Sequence, residues 1–148
     1  MRKASKPFKS LVYKKLINLL IKKGKKQKIK QIVDKSLEVI KRDTAKSFSY
    51  IFLKLFKRLR ITLEIRRLSL RRREYIIPFT IKLRRRVYLT IKWLLITISK
   101  NHANKSFSSK FIYELLRFYY NKKSYLLQLK EQNSASILKN RANIHFRW

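Results

Sequence analysis

Apolar residues recur along this chain first at helical spacing, then at strand spacing, then at helical spacing again. Val12, Leu16, Leu19 and Leu20 lie one turn apart, and Gly24 within KKGKK is expected to stop that first helix, its flanking lysines suiting the negative helix end. Ile29, Ile32, Val33, Leu37 and Ile40 form an i, i+3, i+4 stripe with Lys28, Lys30, Lys35 and Lys41 outside it, which predicts a second helix. Phe48, Ile51, Phe52, Leu55 and Leu59 predict a third, with Ser47 as its N-cap.

The period then drops to two. Ile61, Leu63 and Ile65 alternate with polar residues, and Tyr75, Ile77, Phe79 and Ile81 do so on the return, as half-buried strands would. A β-hairpin over about 61–81 is therefore expected. Neither Gly nor Asn supplies the positive φ of a tight turn, so a longer, irregular loop is expected at its end. Past Pro78 the helical pattern returns: Val87, Ile91, Leu94, Leu95 and Ile98 form a stripe that Arg84, Arg85, Lys92 and Lys100 avoid. The loop KNHANKS breaks the chain, and Ser106 is placed to cap a fifth helix with Phe107, Phe111, Leu115 and Phe118 in the core, ending near Asn121. A more polar sixth helix is expected from about Tyr125 to Asn143. The fold class is mainly α, a bundle of about six helices with a β-hairpin projecting between the third and fourth. It is read as a basic arm over residues 1–10 and one helical domain over residues 11–148, with no internal repeat or low-complexity linker.

Charge changes the picture from fold to partner. Forty Lys and Arg face seven Asp and Glu, giving +33, yet 45% of the residues are hydrophobic, so the chain is not compositionally disordered. Such a domain needs a polyanion to offset its self-repulsion, and nucleic acid is favoured because each neutralised phosphate releases condensed counterions. The rivals are a general DNA-binding helical protein and a basic membrane-surface protein. No tight helix pair with a base-reading first turn stands out for the former. The longest apolar stretch, VYLTIKWLLITI from Val87, is interrupted by Lys92 and falls far short of the ~20 residues of a spanning helix, so no membrane insertion is expected. The opening MRKASKPFKS has the composition of an organellar targeting peptide but is read as an RNA-binding arm.

Catalysis has little to stand on. There is no cysteine, His102 and His145 lack a neighbouring carboxylate, the acids are scattered, and KKGKK lacks the second Gly and the Lys-Ser or Lys-Thr of a phosphate-cradling loop. No enzyme, metal or cofactor is expected. The cluster Arg66, Arg67, Arg71, Arg72 and Arg73 is either a solvated hairpin end or a phosphate contact, and in this basic context the second is favoured, since the arginine fork binds phosphate oxygens in pairs. Arg84, Arg85 and Arg86 open a helix at its positive end, a conflict that a nearby phosphate removes. Trp93 is read as packing, Tyr119, Tyr120 and Tyr125 as core or rim, and Trp148 as a candidate for stacking on a base.

The order of motifs resembles the small-subunit ribosomal protein seven family. KLINLLIKKGKKQKIKQIVDKSLEVIK resembles its opening helix pair around a Gly-Lys-Lys loop; TLEIRR and EYIIPFTIKLRRR resemble the arms of its hairpin and the Arg-Arg that opens the next helix. LTIKWLL is similar to Leu-x-x-Arg-Trp-Leu with Lys92 for Arg, KSFSSKFIYEL to Lys-Ser-x-x-x-Arg-x-x-x-Glu-Leu, and the sequence closes with HFRW. Two departures stand out: Arg71 and Arg72 replace a Gly-Gly near the hairpin tip, and a Lys-Arg-Glu-Asp-x-His run survives only as Lys130 and Glu131, with Ser134 where the His falls.

The resemblance implies a primary binder of small-subunit ribosomal RNA that helps nucleate the head, with hairpin and C-terminus near messenger RNA and exit-site transfer RNA. It also implies head and platform proteins as neighbours, and a place in a larger particle rather than a homo-oligomer. The residues expected to face RNA are Arg2, Lys3, Lys6 and Lys9 in the arm, Lys25 and Lys26, the five hairpin arginines, Arg84, Arg85, Arg86 and Lys92. To these are added Lys122, Lys123, Lys130, Arg141, Arg147 and Trp148. Abundant Lys, Ile, Asn, Phe and Tyr beside one Gly, two Pro and five Ala match an A/T-rich coding sequence, and with the terminal Phe-Arg-Trp they favour a mitochondrial over a plastid ribosome.

Overall fold

A computed structural model describes residues 6–21, 23–70, 72–101 and 106–146. Its elements run α1 Lys6–Leu20, α2 Lys26–Thr44, α3 Phe48–Leu59, β1 Leu63–Leu70, β2 Arg73–Thr80, α4 Leu83–Asn101, α5 Phe107–Tyr119 and α6 Tyr125–Lys139, closed by a 3-10 helix at Arg141–Phe146. The architecture is the expected one, helical with a two-stranded antiparallel hairpin between the third and fourth helices. The expected stripes meet in one core: Val12, Leu16, Val33, Ile40, Ile51, Phe52, Leu55, Leu59, Val87, Ile91, Leu94, Ile98, Phe111, Leu115 and Phe118 are all buried together, joined by Leu126 of α6. Burial of these side chains stabilises the bundle by roughly 1.5–3 kcal/mol each before chain entropy is charged against it.

Several boundaries differ from expectation. α1 begins at Lys6 and takes in half of the expected arm, because Pro7 in a first turn forfeits no helical hydrogen bond. Gly24 does adopt positive φ (+71°), but it follows Lys23 at +51° in a turn beyond the end of α1, and Lys25 and Lys26 sit at the N-cap and first position of α2. Those lysines therefore meet a positive helix end rather than a negative one. Ser47 has N-cap backbone geometry without a side-chain cap bond, whereas the Ser106 hydroxyl accepts from the Ser109 N–H at 3.3 Å. The last helix stops at Lys139, and the 3-10 helix replaces its expected end.

The hairpin holds the clearest correction. Leu70 pairs directly with Arg73, so the loop is only residues 71 and 72, and Arg72 itself takes φ +67°. An eight-step ladder outweighs the ~1–2 kcal/mol that a left-handed L-residue costs. Of the five arginines, Arg66 and Arg67 thus lie within β1 and Arg73 within β2. The same register sets Ile65 opposite Pro78 and Arg66 opposite Ile77. Since cross-strand partners share a face, the odd-numbered apolar sets of the two strands point to opposite faces rather than one.

Five non-glycine residues, Lys23, Ala45, Arg60, Arg72 and Asn121, hold positive φ among the described residues, Ala45 and Arg60 as helix C-caps. With one glycine in the chain, these turns are made by residues that adopt them at a cost.

Candidate nucleic-acid interface

Basic side chains divide into those the fold uses and those it leaves outward. Lys54 donates to the Tyr119 carbonyl at 2.7 Å and lies 4.4 Å from the Tyr119 ring centroid. Arg58 donates to Asn121 Oδ1 at 2.9 Å and covers the Phe118 ring. Lys54 and Arg58, two of the three cations of α3, therefore dock on the C-terminal end of α5, where helix carbonyls carry partial negative charge. Lys130 in α6 donates to the Arg58 carbonyl at 2.9 Å, serving the last turn of α3 in the same way, and Lys100 stands over Tyr125. Lys130 was expected to face RNA; its ammonium already holds α6 to α3.

The α2–α3 connection is only Ala45 to Ser47, a tighter helix pair than the sequence suggested. α3 is nevertheless a core element. It buries Ile51, Phe52, Leu55 and Leu59, its first turn presents Phe48, Ser49 and Tyr50, and two of its three cations, Lys54 and Arg58, are committed to α5, leaving Lys57 exposed.

At the root of the hairpin the outward cations converge. Glu64 of β1 accepts from Arg85 Nε at 3.0 Å, and the Arg85 terminal nitrogen pairs with its other carboxylate oxygen. These hydrogen bonds hold the Glu64 carboxyl below its ordinary range against the opposing effect of burial, with attraction from Arg85, Arg66 and Lys92 adding to them. Arg66 lies over Phe79, its diagonal neighbour on one ribbon face, at 5.1 Å, and Arg85 lies over Tyr88 at 5.0 Å. Arg85 thus pairs with the carboxylate directly while Arg66 and Lys92 attract it from farther off, leaving a local surplus of positive charge with the two arginine planes set on aromatic faces. No residue with an acidic side chain occupies the first turn of α2 or of α4 to offset the cations there.

The remaining expected residues are placed as follows. Lys25, Lys26, Arg67, Arg72, Arg73, Arg84, Lys92, Lys122, Lys123 and Arg141 are exposed, and Arg86 is half-buried at the start of α4. Lys6 and Lys9 fall in the first turns of α1, with their side chains outside the described residues, as are Arg2, Lys3, Arg71, Arg147 and Trp148 altogether. Trp93 packs against the core as expected, Tyr119 is half-buried, and Tyr120 is exposed at the rim. Among the described residues no three His, Cys, Asp or Glu side chains gather as metal ligands would, and no helix is long and apolar enough to cross a membrane.

Sequence reasoning missed Glu64 as the organiser of this cluster, although it is the one acid within TLEIRR. Lys54, Arg58, Asn133 and Asn143 were missed as well, and their bonds reach across 60 to 70 residues of sequence with no local signal.

Fold and charge define a strongly basic helical protein carrying one projecting ribbon. A family model described as Ribosomal protein S7p/S5e matches residues 2–136, and the chain belongs to that family. Relatives include small ribosomal subunit protein uS7 of Pelagibacter ubique (strain HTCC1062), 30% identical over 95% of this chain and 89% of the relative. The proteins of the same name from Mycoplasmopsis synoviae (strain 53) and Desulfatibacillum aliphaticivorans are 27% and 26% identical over the same shares of both chains. The chain is a structural protein of the small ribosomal subunit and not an enzyme.

Proposed function

We propose that this chain binds the head RNA of the small subunit, helps nucleate head assembly, and directs its hairpin and C-terminal segment toward messenger RNA and exit-site transfer RNA. The observation that carries the RNA reading is the cluster of Arg66, Arg85 and Lys92 about Glu64, in which side chains from the ribbon and from α4 share one charged locus. A phosphate placed there meets the exposed Arg66 and Lys92 beside the Glu64–Arg85 pair and relieves the cations at the start of α4. Lys25 and Lys26 at the start of α2 form a second contact on the same logic. Phosphate contacts of this kind position the protein, while RNA shape and unstacked bases supply specificity.

The placement beside head and platform proteins rests on the family resemblance, and the mitochondrial assignment rests on composition and the terminal Phe-Arg-Trp; the relatives named above are bacterial. Affinity for a small-subunit head RNA fragment should fall with salt by roughly 0.7 to 0.9 in log K per phosphate contact for each tenfold rise. Replacing Arg66, Arg85 and Lys92 by Ala should flatten that slope; an unchanged slope would remove the cluster from the interface. Sedimentation with small subunits from purified mitochondria, and not from plastids, tests the organelle.

A further inference from the structure

We propose that the C-terminal segment is a clasp that fixes the direction of the arginine ribbon, with Asn143 and Phe146 as its positioning residues. The Ile81 N–H donates to the Thr62 carbonyl at 3.2 Å, so this pair is a hydrogen-bonded one, and the pairs alternate from there. By that alternation Leu63, Pro78 and Ile76 turn their backbone groups outward, away from the partner strand. Pro78 accordingly forfeits no ladder bond. The outward Leu63 carbonyl lies on the free edge of β1 and the outward Ile76 carbonyl on the free edge of β2.

Both carbonyls are taken by the C-terminal segment. Asn133 of α6 donates its Nδ2–H to Leu63 at 3.4 Å, and Asn143 of the 3-10 helix donates its Nδ2–H to Ile76 at 3.0 Å. The Phe146 ring then stands 4.6 Å from that of Tyr75, centroid to centroid, at 41°. α6 thus holds the root of the ribbon from one edge, and the 3-10 helix holds its middle from the other. A two-stranded ribbon is marginal alone and exposes two pairing edges, and this arrangement supplies what it lacks. It also explains why the final helix breaks at Asn140: the helical path is exchanged for a turn that crosses to β2. A ribbon held at both edges carries its arginines to RNA already ordered, which reduces the entropy lost on binding.

The positioning role rests on the RNA reading above, whereas the clasp itself is tested without RNA. Hydrogen exchange on the full chain should show the hairpin amides opening about tenfold faster when Asn143→Ala and Phe146→Ala are combined, with α2 and α5 unchanged. Phe146→Tyr, which keeps the ring, and Leu138→Ala, which alters an exposed side chain, should leave the hairpin as it is. Unchanged hairpin exchange in the double variant, or equal loosening of all elements, would overturn the clasp. With head RNA bound, the double variant should lose crosslinks from the Arg66–Arg73 segment and keep those from Lys25 and Lys26. Equal loss at both places would overturn the positioning role. A wild-type chain that binds no head RNA would defeat the RNA reading and leave the exchange result to decide the clasp.

Discussion

Glu64 in β1 accepts hydrogen bonds from Arg85 in the first turn of α4, tying the root of the hairpin to the helix that follows it. The Glu64 carboxyl is held below its ordinary range by this partner, so it contributes stability above about pH 4.5, the unfolded value, that is lost as pH falls through the folded one. Arg85 is half in solvent, and such a pair is worth only about 0.2–1 kcal/mol. Glu64→Gln should therefore lower stability slightly at pH 7, and urea midpoints of the two proteins should converge below pH 4.

A second linkage works at the alkaline end. Burial, reinforced by its hydrogen bond to Asp34 at 2.7 Å, pushes the Tyr13 hydroxyl up to about 12. The folded state then holds this proton more tightly than the unfolded chain does, and the associated stability is complete below about pH 10 and lost as pH rises toward 12. Absorbance at the tyrosinate band should show one late step that Tyr13→Phe removes.

At the ribbon tip, conformational cost and charge pull apart. Arg72 holds φ +67° in a two-residue turn, a position that glycine takes freely. Arg72→Gly should raise stability by about 0.5–1 kcal/mol in chemical denaturation. It should also weaken RNA binding by one phosphate contact, visible as a shallower salt slope. A variant that gains stability and binds RNA as before would show that this arginine makes no phosphate contact.

Phe111 of α5 is fully buried at the centre of the bundle. Phe111→Ala should destabilise the fold by about 3–5 kcal/mol, through lost burial and the cavity left behind. Phe107→Ala, at a half-buried position on the same helix, should cost clearly less, and thermal denaturation of both distinguishes them.

The helical stripes were legible because burial repeats every turn, and Val33, Ile40, Phe52, Phe111 and Leu115 lie where their spacing put them. The strand alternation was legible too, but not its register: that depends on the parity of the loop, and Arg72 closes a turn whose sequence argues against it. Outward basic residues such as Lys25 and Arg84 could be read from charge. Residues that look identical in sequence, Lys54, Arg58 and Lys130, turned out to serve helix ends elsewhere in the fold. Their partners lie 60 to 72 residues away, and no periodicity encodes that distance. Helix starts laden with lysine or arginine were only half legible, because KKGKK reads equally well as the end of one helix or the beginning of the next.

The claim that the ribbon root and α4 grip ribosomal RNA is tested most directly by ultraviolet crosslinking of intact small subunits, followed by mapping of the crosslinked peptides. Crosslinks to small-subunit RNA should concentrate in residues 64–92, in peptides bearing Arg66, Arg85 and Lys92. Crosslinks confined to other helices, with these peptides recovered free of RNA, would contradict it.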